Sequence, residues 1–133
     1  MFGKEITNIE SPFSDDMEKE FFDIYEECEE YTLTSIERMY ALYKSIEHIV
    51  KNKISGDIVE CGVWKGGSCM LAAKTLIKLG DYSRKIYLYD TFEGMTEPTD
   101  RDIEMSTNKY AKDLLQVEKK TTKKYNIWAY APF

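Results

Sequence analysis

Two runs hold the residues whose types and spacing could do chemistry: Glu60-Cys61-Gly62-Val63-Trp64-Lys65-Gly66-Gly67-Ser68 and Tyr89-Asp90-Thr91-Phe92. Gly62 has no Cβ, so a chain leaving a strand can turn sharply there. Gly66 and Gly67 let backbone come close to a bound group. Gly67-Ser68 also lead into a helix, whose free amide groups favour an anionic or polar ligand group. Asp90 stands 30 residues after Glu60, so both acids fall at the same carboxyl edge of a parallel sheet. A carboxylate at such an edge can accept hydrogen bonds from both hydroxyls of a ribose. Loop and acid together point to an adenosine-containing ligand. Plainer roles stay open beside that one: a tight structural turn for the glycines, and a cap on the following turn for Asp90. The spacing G-x-x-x-G-G is neither the dinucleotide G-x-G-x-x-G nor a phosphate-binding P-loop.

Particular elements must position these residues. Asp57 to Cys61 and Lys85 to Asp90 read as strands, and Ser68 to Leu79 reads as a helix that Gly80 ends in a left-handed conformation. This is one β-loop-α-β unit, which forms a parallel sheet with a right-handed crossover. Upstream, Met17, Phe21, Phe22, Tyr25 and Cys28 recur at spacings of three and four, predicting a helix over 15–30 capped by Ser14 or Asp15. Thr34-Ser35-Ile36-Glu37 has the capping-box pattern, and a second helix follows to about Asn52. Its stripe of Ile36, Met39, Tyr40, Tyr43, Ile46 and Val50 reads as core. Beyond Asp90, a helix is expected over about 104–119, with Tyr110, Leu114, Leu115 and Val117 as its apolar side. The organisation expected is α/β: an N-terminal helical segment, 1–54, then a partial Rossmann-like parallel sheet, 55–133.

Composition narrows the function classes. The 133 residues carry 18 basic and 24 acidic side chains, a net charge of −6, and 43% are hydrophobic. That balance gives no electrostatic reason to bind nucleic acid. No run approaches the ~18 apolar residues that a membrane span needs, and the N-terminus lacks a signal peptide's apolar core. The three cysteines, without a CxxC pair, read as reduced thiols in a cytoplasmic protein. His48 is the sole histidine and sits mid-helix, which argues against a catalytic triad. Residues 1–34 hold 11 acids and 2 lysines, whereas 109–124 hold 6 lysines and 2 acids. Both segments read as solvated helix faces.

Three stretches carry a resemblance: Thr32-Leu33-Thr34-Ser35-Ile36-Glu37-Arg38-Met39-Tyr40-Ala41-Leu42, the run Gly56 to Ser68, and Tyr89-Asp90-Thr91-Phe92-Glu93-Gly94-Met95. Over roughly 30–133 the chain resembles the macrocin O-methyltransferase family, S-adenosylmethionine-dependent enzymes that methylate sugar hydroxyls. The resemblance implies a class I methyltransferase sheet. It places Glu60, Gly62, Val63 and Trp64 around the methionine part of the cofactor, with Gly66 in the loop and Ser68 at the helix start. Asp90 would hold the ribose hydroxyls, with Thr91 and Phe92 beside the adenosine. Tyr31 and Thr32 would close over the cofactor. The family also implies a divalent metal, Mg2+, whose acidic ligands lie later in the family chain and are absent from this one, as is its catalytic base; no catalytic residue is assigned.

A doubly wound sheet needs roughly 150 to 200 residues, and only 77 run from Asp57 onward. The chain therefore reads as the N-terminal half of such an enzyme, inactive by itself, with a glycosylated small molecule as acceptor. A half-sheet with an apolar tail would self-associate or pair with a complementary C-terminal half. The alternative is a non-catalytic S-adenosylmethionine-binding or protein-interaction domain. An NAD-linked oxidoreductase is disfavoured by the loop spacing.

Overall fold

The computed structural model describes residues 14–93 and 96–113. They fall in two compact units, Met1–Tyr89 and Asp90–Phe133.

In the first unit, α1 (Lys19–Tyr25) and α2 (Ile36–Lys51) precede β1 (Ile58–Cys61), α3 (Gly67–Lys78) and β2 (Ile86–Tyr89). β1 and β2 pair in parallel with Ile58 opposite Ile86 and Cys61 opposite Tyr89, so both strands end together. The strand–loop–helix–strand order is that of an α/β, Rossmann-like unit, and α2 packs on its crossover helix α3. Apolar residues of all three helices form the core. Phe21, Cys28, Met39, Tyr43 and Leu71 are essentially sealed from solvent, and a second cluster of Ile46, Ala72 and Leu76 receives Ile58 and Ile86 from the strands. Ile58 and Ile86 thus face the helices. The opposite sheet face is open, with Val59 58% and Tyr89 61% exposed.

Three features of the first unit's helices differ from the sequence expectation. The helix over 15–30 is broken: a 3-10 turn at Ser14–Asp16, α1, then a second 3-10 turn at Glu29–Tyr31. The acids explain the break, since Asp23/Glu27 and Glu26/Glu30 would set like charges four residues apart. Turning there also buries Cys28 completely. The N-cap of α1 is Glu18, not Ser14 or Asp15, and it makes no side-chain cap bond. The capping box does not form as read, because the N-cap of α2 is Ser35. The Thr34 hydroxyl pairs instead with the Thr32 hydroxyl at 2.9 Å, a local bond of the kind that competes with capping. The other elements of the first unit agree closely: α3 starts one residue early, and Gly80 has φ +73°. Of the cysteines, Cys28 and Cys69 are buried but Cys61 is exposed.

The edge of the sheet where the strands begin is fastened by Arg84. Its guanidinium donates to Asp81 Oδ2 at 2.7 Å, to the Gly56 carbonyl at 2.6 Å and to the Ile54 carbonyl at 2.5 Å. One planar fork therefore joins the entry to β1 and the entry to β2.

Lys44 ties α2 to the residue before α1. Its ammonium lies 2.7 Å from Glu18 and 2.5 Å from Glu47. The Lys44 hydrogen bond is the main reason the Glu18 carboxyl falls from 4.5 to about 2. Folding favours the charged form, so this contribution is complete above about pH 4.5 and is lost as the pH falls towards 2. Lys44 is 44% and Glu18 41% exposed, which limits the effect to about 1 kcal/mol or less. Urea unfolding of Glu18→Gln should thus show a small deficit against wild type at pH 6 that closes near pH 2. A deficit unchanged across that range would contradict the ion pair's role.

In the second unit, β3 (Ile103–Glu104) pairs antiparallel with β4 (Lys109–Tyr110). This hairpin replaces the first part of the helix expected over 104–119. Asn108 takes φ +56°, and its N–H donates to the Glu104 carbonyl at 2.7 Å, closing the turn. Asparagine tolerates that conformation. Leu114, Leu115, Val117 and the aromatic stretch 125–133 lie outside the described residues, as do Gly94 and Met95. No helix among the described residues is long and apolar enough to cross a membrane.

Candidate functional site

β1 ends at Cys61, and the chain turns immediately. Gly62 has φ +86°, and its N–H donates to the Tyr89 carbonyl at 2.8 Å, so the last rung of the sheet sets the direction of the loop. Val63 is buried and anchors the turn, while Trp64 takes φ +50°. The Lys65 ammonium lies 4.7 Å from the Trp64 ring centroid, a cation–π distance. Gly66, at φ +83°, is the N-cap of α3; its N–H reaches back to the Val63 carbonyl at 2.9 Å, and its carbonyl accepts the first helical bond from Met70. A side chain at 62 or 66 would strain a left-handed backbone, which explains glycine at both.

Gly67 serves differently. A Cβ there would lie 2.7 Å from the Tyr31 carbonyl carbon and oxygen and from Thr32 Cβ. The space expected to admit a ligand is filled by the protein's own Tyr31-Thr32 backbone. This brings Tyr31 and Thr32, on the connection from α1 to α2, against the first residue of α3. The Thr32 hydroxyl also accepts the Thr34 N–H at 3.1 Å, which fixes that connection locally. Ser68 follows in the first turn of α3, half-buried.

Glu60 faces the helices. The thiol of Cys69, in the first turn of α3, donates to Glu60 Oε2 at 2.7 Å. Both line a cavity of about 250 Å³ with Thr34, Arg38 and Ser68. Burial first, then the Glu60 hydrogen bond, pushes the Cys69 thiol up to about 12, so it stays a protonated donor at neutral pH. The end of β1, the start of α3, the first turn of α2 and Thr34 therefore converge in the first unit. They offer a hydrogen-bonding carboxylate, a guanidinium and two hydroxyls around one concavity.

Asp90, Thr91 and Phe92 begin the second unit, and Asp90 is the residue after Tyr89 in the chain. Asp90 Oδ1 accepts the Phe92 N–H at 3.1 Å, an Asx turn, and Phe92 sits at φ +54° with 44% of its surface exposed. The plainer role, a cap on the following turn, is thus one that Asp90 performs. A carboxylate has lone pairs enough to accept further bonds.

Comparison with known proteins settles what this strand–loop–helix unit is. The sequence model of the macrocin-O-methyltransferase (TylF) family matches residues 8–129. The chain belongs to that family. Among characterised relatives, 8-demethyl-8-(2,3-dimethoxy-alpha-L-rhamnosyl)-tetracenomycin-C 4'-O-methyltransferase of Streptomyces olivaceus is 36% identical over 50% of this chain and 26% of its own length. Mycinamicin III 3''-O-methyltransferase of Micromonospora griseorubida is 30% identical over 60% of this chain and 33% of its own. Demethyldecarbamoylnovobiocin O-methyltransferase of Streptomyces niveus is 31% identical over 50% and 26%. The solved O-methyltransferase NovP is 26% identical, covering 67% of this chain and 35% of that one, with a TM-score of 0.46. The matched region thus spans a quarter to a third of the length of these characterised relatives.

Two contacts near the loop are not legible in the sequence. The glycine pattern points to ligand approach at Gly67, and only packing across the chain reveals its neighbour. Cys69 reads only as a reduced thiol, and nothing local to α3 indicates that the strand acid reaches it. As to a divalent ion, no group of three or more His, Cys, Asp or Glu side chains among the described residues could hold one. The described donor set does not fit a metal.

Proposed function

We propose that this chain supplies the cofactor-binding opening of an S-adenosylmethionine-dependent O-methyltransferase that acts on a sugar hydroxyl of a glycosylated small molecule. The observation that carries it is the left-handed Gly62 turn, bonded to the end of β2 and leading through Gly66 into α3. Family membership gives the reaction class, and the rhamnosyl group named for one relative's substrate suggests the acceptor class.

When bound, S-adenosylmethionine supplies a methyl group on a positively charged sulfur. The chain's part is to hold that group. The backbone of Gly62, Val63 and Trp64 lines the methionine part, where Glu60 offers a carboxylate. Ser68 places a hydroxyl at the helix start, and Gly66 keeps the loop free of a side chain. Asp90 accepts from the ribose hydroxyls, Thr91 and Phe92 flank the adenosine, and Tyr31 and Thr32 wall the site where they pack on Gly67. Fixing the methyl donor by many small contacts lowers the entropic cost of aligning it with an acceptor oxygen.

A second reading, a non-catalytic cofactor-binding or interaction domain, is favoured by the open sheet face bearing Val59 and Tyr89. Such a face suits a second copy or a complementary segment. Titration calorimetry of the full chain with S-adenosylmethionine, and separately with NAD, tests the cofactor. Saturable binding of S-adenosylmethionine alone is expected. No binding, or equal binding of NAD, would contradict the proposal. Radiolabelled methyl transfer to a rhamnosylated acceptor, measured with a complementary C-terminal half added, then separates the two readings: transfer is expected under the first and none under the second.

A further inference from the structure

We infer that Cys69 is a positioning residue: its thiol fixes the Glu60 carboxylate so that it can receive the α-ammonium group of the cofactor's methionine part. The inference rests on the S-adenosylmethionine reading above. Three observations carry it. The Cys69 Sγ donates to Glu60 Oε2, so the acid on the penultimate residue of β1 is tied to the first turn of α3. Cys69 is only 9% exposed, so water competes little for that bond. Both side chains line one cavity, beside Ser68, Thr34 and Arg38.

The chemistry explains why a thiol suits this place. A lysine or arginine bonded directly to the carboxylate would spend much of its attraction for an ammonium group; Arg38 lines the same cavity, but it is the Cys69 thiol that bonds Glu60 Oε2. A weak, uncharged donor occupies one oxygen and leaves the negative charge available. A glutamate has three rotatable bonds, so holding one oxygen removes rotamers that would otherwise be lost on ligand binding. Cys69 touches no reacting atom. Its effect should appear only for ligands that carry an ammonium group.

Calorimetry of the full chain with S-adenosylmethionine and with 5'-methylthioadenosine, which lacks the amino-acid portion, reads that difference. Cys69→Ala should weaken S-adenosylmethionine about 3- to 12-fold, the scale of one ordinary hydrogen bond. It should weaken methylthioadenosine less than about 2-fold, since that ligand makes no charged hydrogen bond at Glu60. Cys69→Ser, which keeps a donor, should recover most of the loss. Equal losses for both ligands, or none, would overturn the positioning role while leaving the cofactor reading intact. Failure of wild type to bind S-adenosylmethionine would overturn both. If Cys69→Ala does not fold, alkylation by iodoacetamide at pH 9, followed at Cys69 by peptide mass spectrometry, supplies a second readout. Glu60→Gln should speed alkylation at Cys69 several-fold, and an unchanged rate would overturn the contact.

Discussion

Gly67→Ala is expected to displace the Tyr31-Thr32 connection and cost the protein stability despite improving helix propensity. Two effects compete. Alanine at the first residue of a helix gains up to about 1 kcal/mol over glycine. Against this, its Cβ would stand 2.7 Å from the Tyr31 carbonyl and from Thr32 Cβ, and the atoms it meets are mostly backbone that cannot swing away. Overpacking of that kind costs about 1–3 kcal/mol and sometimes more. The clash wins, and relief requires the 31–34 segment to lift from α3. Because Tyr31 and Thr32 are proposed to wall the cofactor, S-adenosylmethionine affinity should fall at least 10-fold with the melting temperature. Gly66→Ala is the contrast: its Cβ would meet nothing closer than Val63 at 3.9 Å, so its penalty is left-handed strain of about 1–2 kcal/mol. A Gly67→Ala protein as stable as wild type, with undiminished affinity, would show that the close approach is not real.

Phe21→Ala should have the largest effect on stability. The ring is wholly buried, and its centroid lies 5.1 Å from that of Tyr40, 5.5 Å from Tyr25 and 5.6 Å from Tyr43. Truncating such a residue costs about 3–5 kcal/mol. That is a large share of the roughly 5–15 kcal/mol by which a domain is stable at all. Moreover, α1 has seven residues, too few to persist unless docked. Undocking α1 would loosen the connection that carries Tyr31 and Thr32 onto α3. Circular dichroism should find a melting transition lowered by more than about 12 °C, or none. A shift below about 4 °C would mean that α1 contributes little to the core.

What could be read in the sequence depended on the range of the forces involved. The period-3.6 stripe of α2 is decided by one element's own pattern, and Ile36, Met39, Tyr43 and Ile46 are buried as that pattern requires. The strands and α3 follow from short apolar runs bounded by glycine, and their ends agree within a residue or so. In the 15–30 segment paired acids break a helix that apolar spacing alone would continue. Over 104–110, Ser106-Thr107-Asn108 carried turn chemistry that outweighed a weak helical pattern. The glycine loop was legible because left-handed φ at Gly62 and Gly66 is a local need. The Gly67 contact and the Cys69–Glu60 bond were not, since each joins residues from separate elements.

In the function proposed above, Asp90, the acid after β2, binds the ribose of S-adenosylmethionine. Calorimetric affinities of wild type and Asp90→Ala for that cofactor test it most directly. Loss of carboxylate bonds to the ribose should weaken binding by about 1–3 kcal/mol, roughly 5- to 150-fold. Adenine alone, which lacks the ribose, serves as the control ligand and should bind both proteins alike. Indistinguishable affinities for S-adenosylmethionine would reduce Asp90 to the cap of its own turn and contradict the claim.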